Sequence, residues 1–357
     1  MASIKIDLFS DTLTKPTAEM RRFMCEAEVG DEQKFEDPTV NLLQEMVAEL
    51  LGKEAALFLP SGTMCNQIAI KLHCRPGDEM ICDRTAHPLN FEGGGPAALS
   101  GVMVYPLSGE NGIFTGDQVR TAIRPRIRYH PQSRLVSVEQ TSNMGGGTIW
   151  PLQTIAEVCA AARENNLATH MDGARLMNAM VASGISAKTY ASDFDSVWLD
   201  LSKGLGAPVG AVLAGSKEFI QEAWPWKQRL GGAMRQAGII AAAGVYALQH
   251  HVDRLAEDHI NAKNLAWGLA EIPNLQVDPS RVQTNIVIID ISRTGKTPQE
   301  LIGLLLDRGV RLSPAGPHYL RAVTHLDISS QMIEEALQIM RTVLAEIQAE
   351  SMHKVRF

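Results

Sequence analysis

Lys203 closes an apolar run, SVWLDLSK, and Gly204, Gly206 and Gly210 follow it closely. A lysine is costly to bury unless it pairs with an acid or does chemistry. Desolvation turns an amine into a usable nucleophile, and Ser202 offers a hydroxyl beside this one. Some thirty residues upstream, Asp172 ends another apolar stretch, ATHMD, with Gly173 behind it. An acid at the carboxyl end of a parallel strand faces the ligand crevice; a turn or N-cap role fits the same residue. His170 shares the strand face with Asp172 and reads as a core histidine satisfied by a hydrogen bond. A third piece is Ser61-Gly62-Thr63, where ALFLP turns into SGTMCNQIAIKLHC. Free N–H groups at a helix start, with the helix dipole behind them, bind anions such as phosphate; a plain capped turn fits the tripeptide equally well. The Walker pattern is absent, so a nucleoside triphosphate is not indicated. An amine, a carboxylate and a phosphate cradle together are what pyridoxal phosphate needs for its aldehyde, its ring nitrogen and its phosphate. On that reading Lys203 anchors the cofactor.

The elements that must position these groups alternate. AALFLP, EMICD, VMVYPL, RLVSVEQ, ATHMDGA, SVWLDL and VGAVLAG read as short strands, and LQTIAEVCAAARENN as one of the helices between them. Alternation of this kind implies an α/β fold with a mainly parallel sheet covered on both faces. DPTVNLLQEMVAELLG carries the clearest helix, with Asp37 as N-cap, Pro38 at its first position and Gly52 ending it. Another helix starts at Pro16 or Thr17. The stretch from Met234 to Ile272 reads as one long helical region. TNIVIIDI, TPQELIGLLLDRG, YLRAVTHLDI and SSQMIEEALQIMRTVLAEIQAE then form a smaller α/β unit. The expected division is an N-terminal arm (1–15), a large cofactor domain (16–247) and a small C-terminal domain (248–357).

The 357 residues are 45% hydrophobic and 20% charged, with a net charge of −7, which excludes the basic footprint of a nucleic-acid binder. Aromatics, at 5%, are too few for base-stacking platforms. Five cysteines without CxxC spacing argue against a disulfide framework and a zinc site. No metal site and no membrane span are expected, and the location expected is the cytoplasm.

The stretches SDTLTKPT, VGDE, EDPTVNLLQ, LLGKEAALFLPSGT, DGARLMNA, LSKGLGAPVG, GGAMRQAGIIAAAGVYAL and VTHLDIS make the resemblance specific. The chain resembles the low-specificity L-threonine aldolases, within the aspartate-aminotransferase-like (fold type I) pyridoxal-phosphate enzymes. The likeness runs from about residue 6 to residue 330. It implies a seven-stranded, mainly parallel sheet in the large domain, and retro-aldol cleavage of L-β-hydroxy-α-amino acids to glycine and an aldehyde. It implies that Lys203 carries the cofactor and that Asp172 pairs with the pyridine nitrogen. Gly62 and Thr63 would hold the phosphate, joined by Arg235 from a neighbouring subunit. His87 would stack over the ring and Arg175 would face the phenolic oxygen or the substrate carboxylate. Ser10 and Arg321 would bind that carboxylate, and Glu92 lies in the His87 loop. A homo-oligomer follows, a dimer or homotetramer with sites at the dimer interface.

Several positions depart from the family pattern. Ser142 stands where a histidine is usual, so His87 or a water must take the hydroxyl proton. Ser142, with Phe35, points to a pocket opened toward a bulky β-substituent such as the phenyl of phenylserine. Phe9, Lys34 and Gln228 also differ, and Asp200 is unusual in an apolar strand. A β-eliminating lyase or racemase on the same scaffold, and a cofactor-binding protein without turnover, are the competing readings.

Overall fold

The computed structural model describes residues 4–355, with side chains to residue 349. Two compact units divide the chain. The larger comprises Lys15–Gly145 and Ile149–Asp253; the smaller comprises 4–14, Gly146–Thr148 and 254–355. The N-terminal segment therefore groups with the C-terminal residues, and the last crossing between the units falls just after 253.

Strand β1 (Ile6–Asp7) belongs to the smaller unit. The larger unit holds β2 (Ala55–Leu59), β3 (Glu79–Asp83), β4 (Met103–Leu107), β5 (Ser133–Glu139), β6 (Ala168–Gly173), β7 (Ser196–Asp200) and β8 (Ala211–Gly215). They form one seven-stranded sheet in the order β2-β8-β7-β6-β5-β3-β4. Only β8 runs against its neighbours β7 and β2; the rest of the ladder is parallel. Parallel pairing needs crossovers, and crossovers bring the carboxyl ends of β5, β6 and β7 to one edge of the sheet. Register aligns Glu139 with Asp172, and Asp172 with Trp198.

Local chemistry fixes the helices around this sheet. Asp37 accepts the N–H groups of Thr39 and Val40, Pro38 occupies the first turn, and Gly52 ends the helix Pro38–Leu51 at φ +63°. A cap of this kind is worth about 1 kcal/mol. Thr17 caps Ala18–Cys25. The helix Gly62–His73 starts on a Ser61 cap. Its inner face (Cys65, Ile68 and Ala69) packs on Leu57, Leu59, Trp198 and Leu213, which fixes its N-terminus over β7.

The long helical stretch expected from residue 234 is two helices, Gly238–His250 and Leu255–Ala270. The chain turns at 251–254, where the His251 ring bonds to the Leu205 carbonyl at 2.7 Å.

In the smaller unit β9 (Ile286–Asp290), β10 (Val310–Arg311), β11 (Ser313–Gly316) and β12 (Tyr319–Val323) complete the set. β1 pairs parallel with β10, and β11-β12-β9 form an antiparallel sheet. The helices Leu255–Ala270, Pro298–Asp307 and Ser330–Val355 accompany them, with Leu265, Leu269, Ile289, Leu301, Leu320 and Met340 in the core. The strand expected through VTHLDI stops at Val323, because the hydroxyl of Thr324 donates to the Asp258 carbonyl at 2.6 Å and its N–H to Asn285.

Candidate functional site

Asn66, a residue the sequence reading did not single out, organises the larger unit's crevice. It sits one turn into the helix Gly62–His73 and is fully buried. Its amide nitrogen donates to Asp172 at 2.8 Å and to Glu92 at 2.7 Å. Its carbonyl accepts from the Trp198 indole at 2.7 Å and faces His170 Nε2 at 3.1 Å. All of its hydrogen-bonding capacity serves the site. The polar pair Asn66-Gln67 on the buried face of an otherwise apolar helix was the available signal.

Asp172 ends β6 as expected. One oxygen takes the Asn66 amide and the other the Ala174 N–H at 3.0 Å. Burial, then the charge of Glu139, push its carboxyl up to about 7; the Asn66 hydrogen bond and the charges of His87 and Lys203 only partly offset them. A cation placed against this acid would offset that rise. His170 is the satisfied core histidine expected: Nδ1 meets Ser196 Oγ at 2.8 Å, and burial pulls its pKa down to about 3.

His87 starts the short helix His87–Asn90. Its Nδ1 faces Glu92 at 2.8 Å, so that nitrogen carries the hydrogen and Nε2 is left for chemistry. Burial alone would depress its pKa. The Glu92 hydrogen bond and the charges of Asp172, Glu92 and Glu139 outweigh burial and raise it. Glu92 has no side-chain exposure and also accepts from Gln67. Glu139 anchors the loop through the His87 N–H at 2.9 Å and the Asn143 N–H at 2.7 Å. Like Asn66, Glu139 was absent from the expected set.

Lys203 lies just past β7, one-fifth exposed, with its ammonium against Asp200 and 5.6 Å from the centre of the Trp198 ring. Gly62 begins the helix Gly62–His73, and its smallness answers to Trp198: an added Cβ would stand 2.2 Å from the indole. Thr63 is exposed in the first turn. Arg175 is buried, its N–H on the Gln140 carbonyl and its guanidinium within 3.5 Å of Asn143 Oδ1.

Three expected residues have local surroundings of another kind. Ser142 is buried with its hydroxyl accepting the Gly145 N–H at 3.3 Å, and a Cβ at Gly112 would lie 2.0 Å from it. That packing leaves little space around the hydroxyl. Phe35 is 62% exposed at φ +60° and meets Trp224 edge-on. Arg235 pairs with Asp31 at 3.0 Å and is largely exposed. Ser10 and Arg321 belong to the smaller unit. Ser10 caps the turn Asp11–Leu13, and Arg321 Nε donates to Ser313 at 3.2 Å. Among the described residues no cluster of three or more His, Cys, Asp or Glu side chains could hold a metal, and no helix is long and apolar enough to cross a membrane.

Comparison with known proteins gives the chain's family. A family profile described as beta-eliminating lyase matches residues 7–292. The chain is 41% identical over 341 residues to the low specificity L-threonine aldolase of Escherichia coli K12, covering 95% of this chain and 99% of that one. It is 36% identical to low-specificity L-threonine aldolase 1 of Arabidopsis thaliana, covering 98% and 99%. A solved structure of Leishmania major threonine aldolase shares the fold with a TM-score of 0.82 at 18% identity, over 95% of this chain and 99% of that one.

Proposed function

The chain belongs to the beta-eliminating lyase family, among the low-specificity L-threonine aldolases, and from that premise we propose that it is a pyridoxal-phosphate-dependent carbon–carbon lyase. It cleaves L-β-hydroxy-α-amino acids of the threonine type to glycine and an aldehyde. The observation that carries the reading is Asp172: a buried acid with its pKa pushed up, within electrostatic reach of both Lys203 and His87.

Lys203 would hold the cofactor through its amine and Asp172 would keep the ring nitrogen protonated. The N–H groups of Gly62 and Thr63 would hold the phosphate, with Arg235 as a further ligand. When bound, pyridoxal phosphate supplies the electron sink for the pair released as Cα–Cβ breaks. The protein's own groups do the rest. His87 Nε2 takes the β-hydroxyl proton, since Nδ1 is committed to Glu92. Glu92 and Asn66 fix the ring and the acid in place before substrate arrives, so orientation is present at the outset. Arg175, Ser10 and Arg321 are proposed for the substrate carboxylate, which an arginine fork suits. A base must be neutral to accept a proton. A raised His87 pKa therefore predicts that kcat/KM climbs as pH rises through a value above 6.5, and that H87N abolishes that limb.

The deciding assay measures glycine and aldehyde from L-threonine, L-allo-threonine and L-phenylserine, side by side, with added pyridoxal phosphate. Release of pyruvate or ammonia without glycine would replace cleavage by β-elimination. Bound cofactor without turnover would leave a binding protein. Preference for phenylserine would favour a pocket opened at Ser142; the close packing of that hydroxyl argues for comparable rates. A homo-oligomer with Arg235 supplied across a dimer interface, and a cytoplasmic location, complete the proposal. Light scattering of wild type and R235A tests the first, and fractionation the second.

A further inference from the structure

Asp200 has no place in the mechanism above, yet its surroundings are built. All five residues of β7 are buried, and an acid in such a strand needs internal partners. One oxygen takes the Ser202 N–H at 2.8 Å and the Ser202 hydroxyl at 3.0 Å. These two bonds aim the carboxylate and leave its second oxygen for a single cation, the ammonium of Lys203. With only 5% of its side chain exposed, water does little to screen the pair.

We propose that Asp200 is a positioning residue for Lys203, holding the ε-ammonium before the cofactor arrives and so setting the rate at which the lysine captures pyridoxal phosphate. The inference rests on the reading of Lys203 as the cofactor lysine.

Capture needs the neutral amine. The ammonium gives its proton to solvent, the nitrogen adds to the aldehyde carbon, a carbon–nitrogen double bond forms, and the aldehyde oxygen leaves as water. A carboxylate in contact with the ammonium opposes the first of these steps. Other groups near the pair are Asp172, which senses the Lys203 charge, the uncharged Trp198 ring, and Ala211 of β8, which pairs with Asp200. None of them replaces Asp200 as the ammonium's partner.

The test strips the cofactor from wild type, D200N and S202A. It follows capture of added pyridoxal phosphate, by the visible absorbance of the loaded protein, across the neutral and alkaline range. In D200N capture at neutral pH is about tenfold faster, because the ammonium no longer has to leave a carboxylate. S202A loosens the aim of Asp200 and speeds capture by a smaller amount. Profiles of D200N and S202A that superimpose on wild type overturn the proposal. If D200N does not fold, by circular dichroism, the S202A profile decides alone. Failure of the underlying reading looks different: K203A then captures cofactor with the same absorbance as wild type.

Discussion

Two lysines of the larger unit each meet one buried carboxylate. Lys227 lies 2.7 Å from Glu32, and neither side chain has any exposure. The Lys227 ammonium also rests 4.8 Å from the centre of the Trp224 ring, and the second Glu32 oxygen takes the Met234 N–H. Burial depresses the Lys227 pKa while Glu32 works against it. Lys203 meets Asp200 in much the same way but stays one-fifth exposed at the carboxyl edge of the sheet. One pair is closed on every side and ties the helix Lys217–Arg229 to the turn Glu32–Lys34. The other has an open side, and the acid is tied to Ser202 so that the lysine can leave it. Reach, more than pairing, separates a structural lysine from a chemical one.

Removing each lysine in turn should produce the widest gap between the two pairs. K203A is expected to lower turnover by about a thousandfold or more and to cost less stability than K227M, because Asp200 keeps its two Ser202 bonds; a steady-state assay and a urea melt check both. K227M should do the reverse. It strands Glu32 in the interior and costs about 3–5 kcal/mol of stability, and adding E32L recovers most of it. A K227M protein as stable as wild type would erase the distinction.

A third test concerns the acid field near Lys203. Asp172 is raised from 3.8 to about 7, so between those values the folded protein binds more protons than the unfolded one. Stability of the cofactor-free protein should therefore fall as pH rises through that window, by at most about 4 kcal/mol from this group, and D172N should flatten the slope. Melts from pH 4 to pH 8 read it directly. The smallest effect is expected at Arg235. Its exposed pair with Asp31 is worth about 0.5 kcal/mol or less, so R235A should melt like wild type and differ in cofactor retention on dialysis.

The seven strands of the large sheet were legible because each is an apolar run bounded by turn chemistry, and the caps of Pro38–Leu51 because they are local. The break at 251–254 was not, since what the His251 ring bonds to is a carbonyl some forty-five residues away in sequence. β11 carries Pro314 and Gly316, poor strand formers, and becomes a strand only through pairing with β12. At the site, Lys203, Asp172 and Gly62 announce themselves by type and spacing. Asn66 does not, because its partners come from three other segments of the chain. At Ser142 a small residue suggests room, and Gly112 and Gly145 lie against its hydroxyl.

The contact between Gly62 and Trp198 has a consequence for how this protein can change. Position 62 accepts nothing larger than glycine while 198 is tryptophan, and the indole cannot shrink without leaving Asn66 short of a donor. The three positions must covary. A mutagenesis library that randomises residue 62 alone should return glycine; one that randomises 62, 66 and 198 together can reach a second solution.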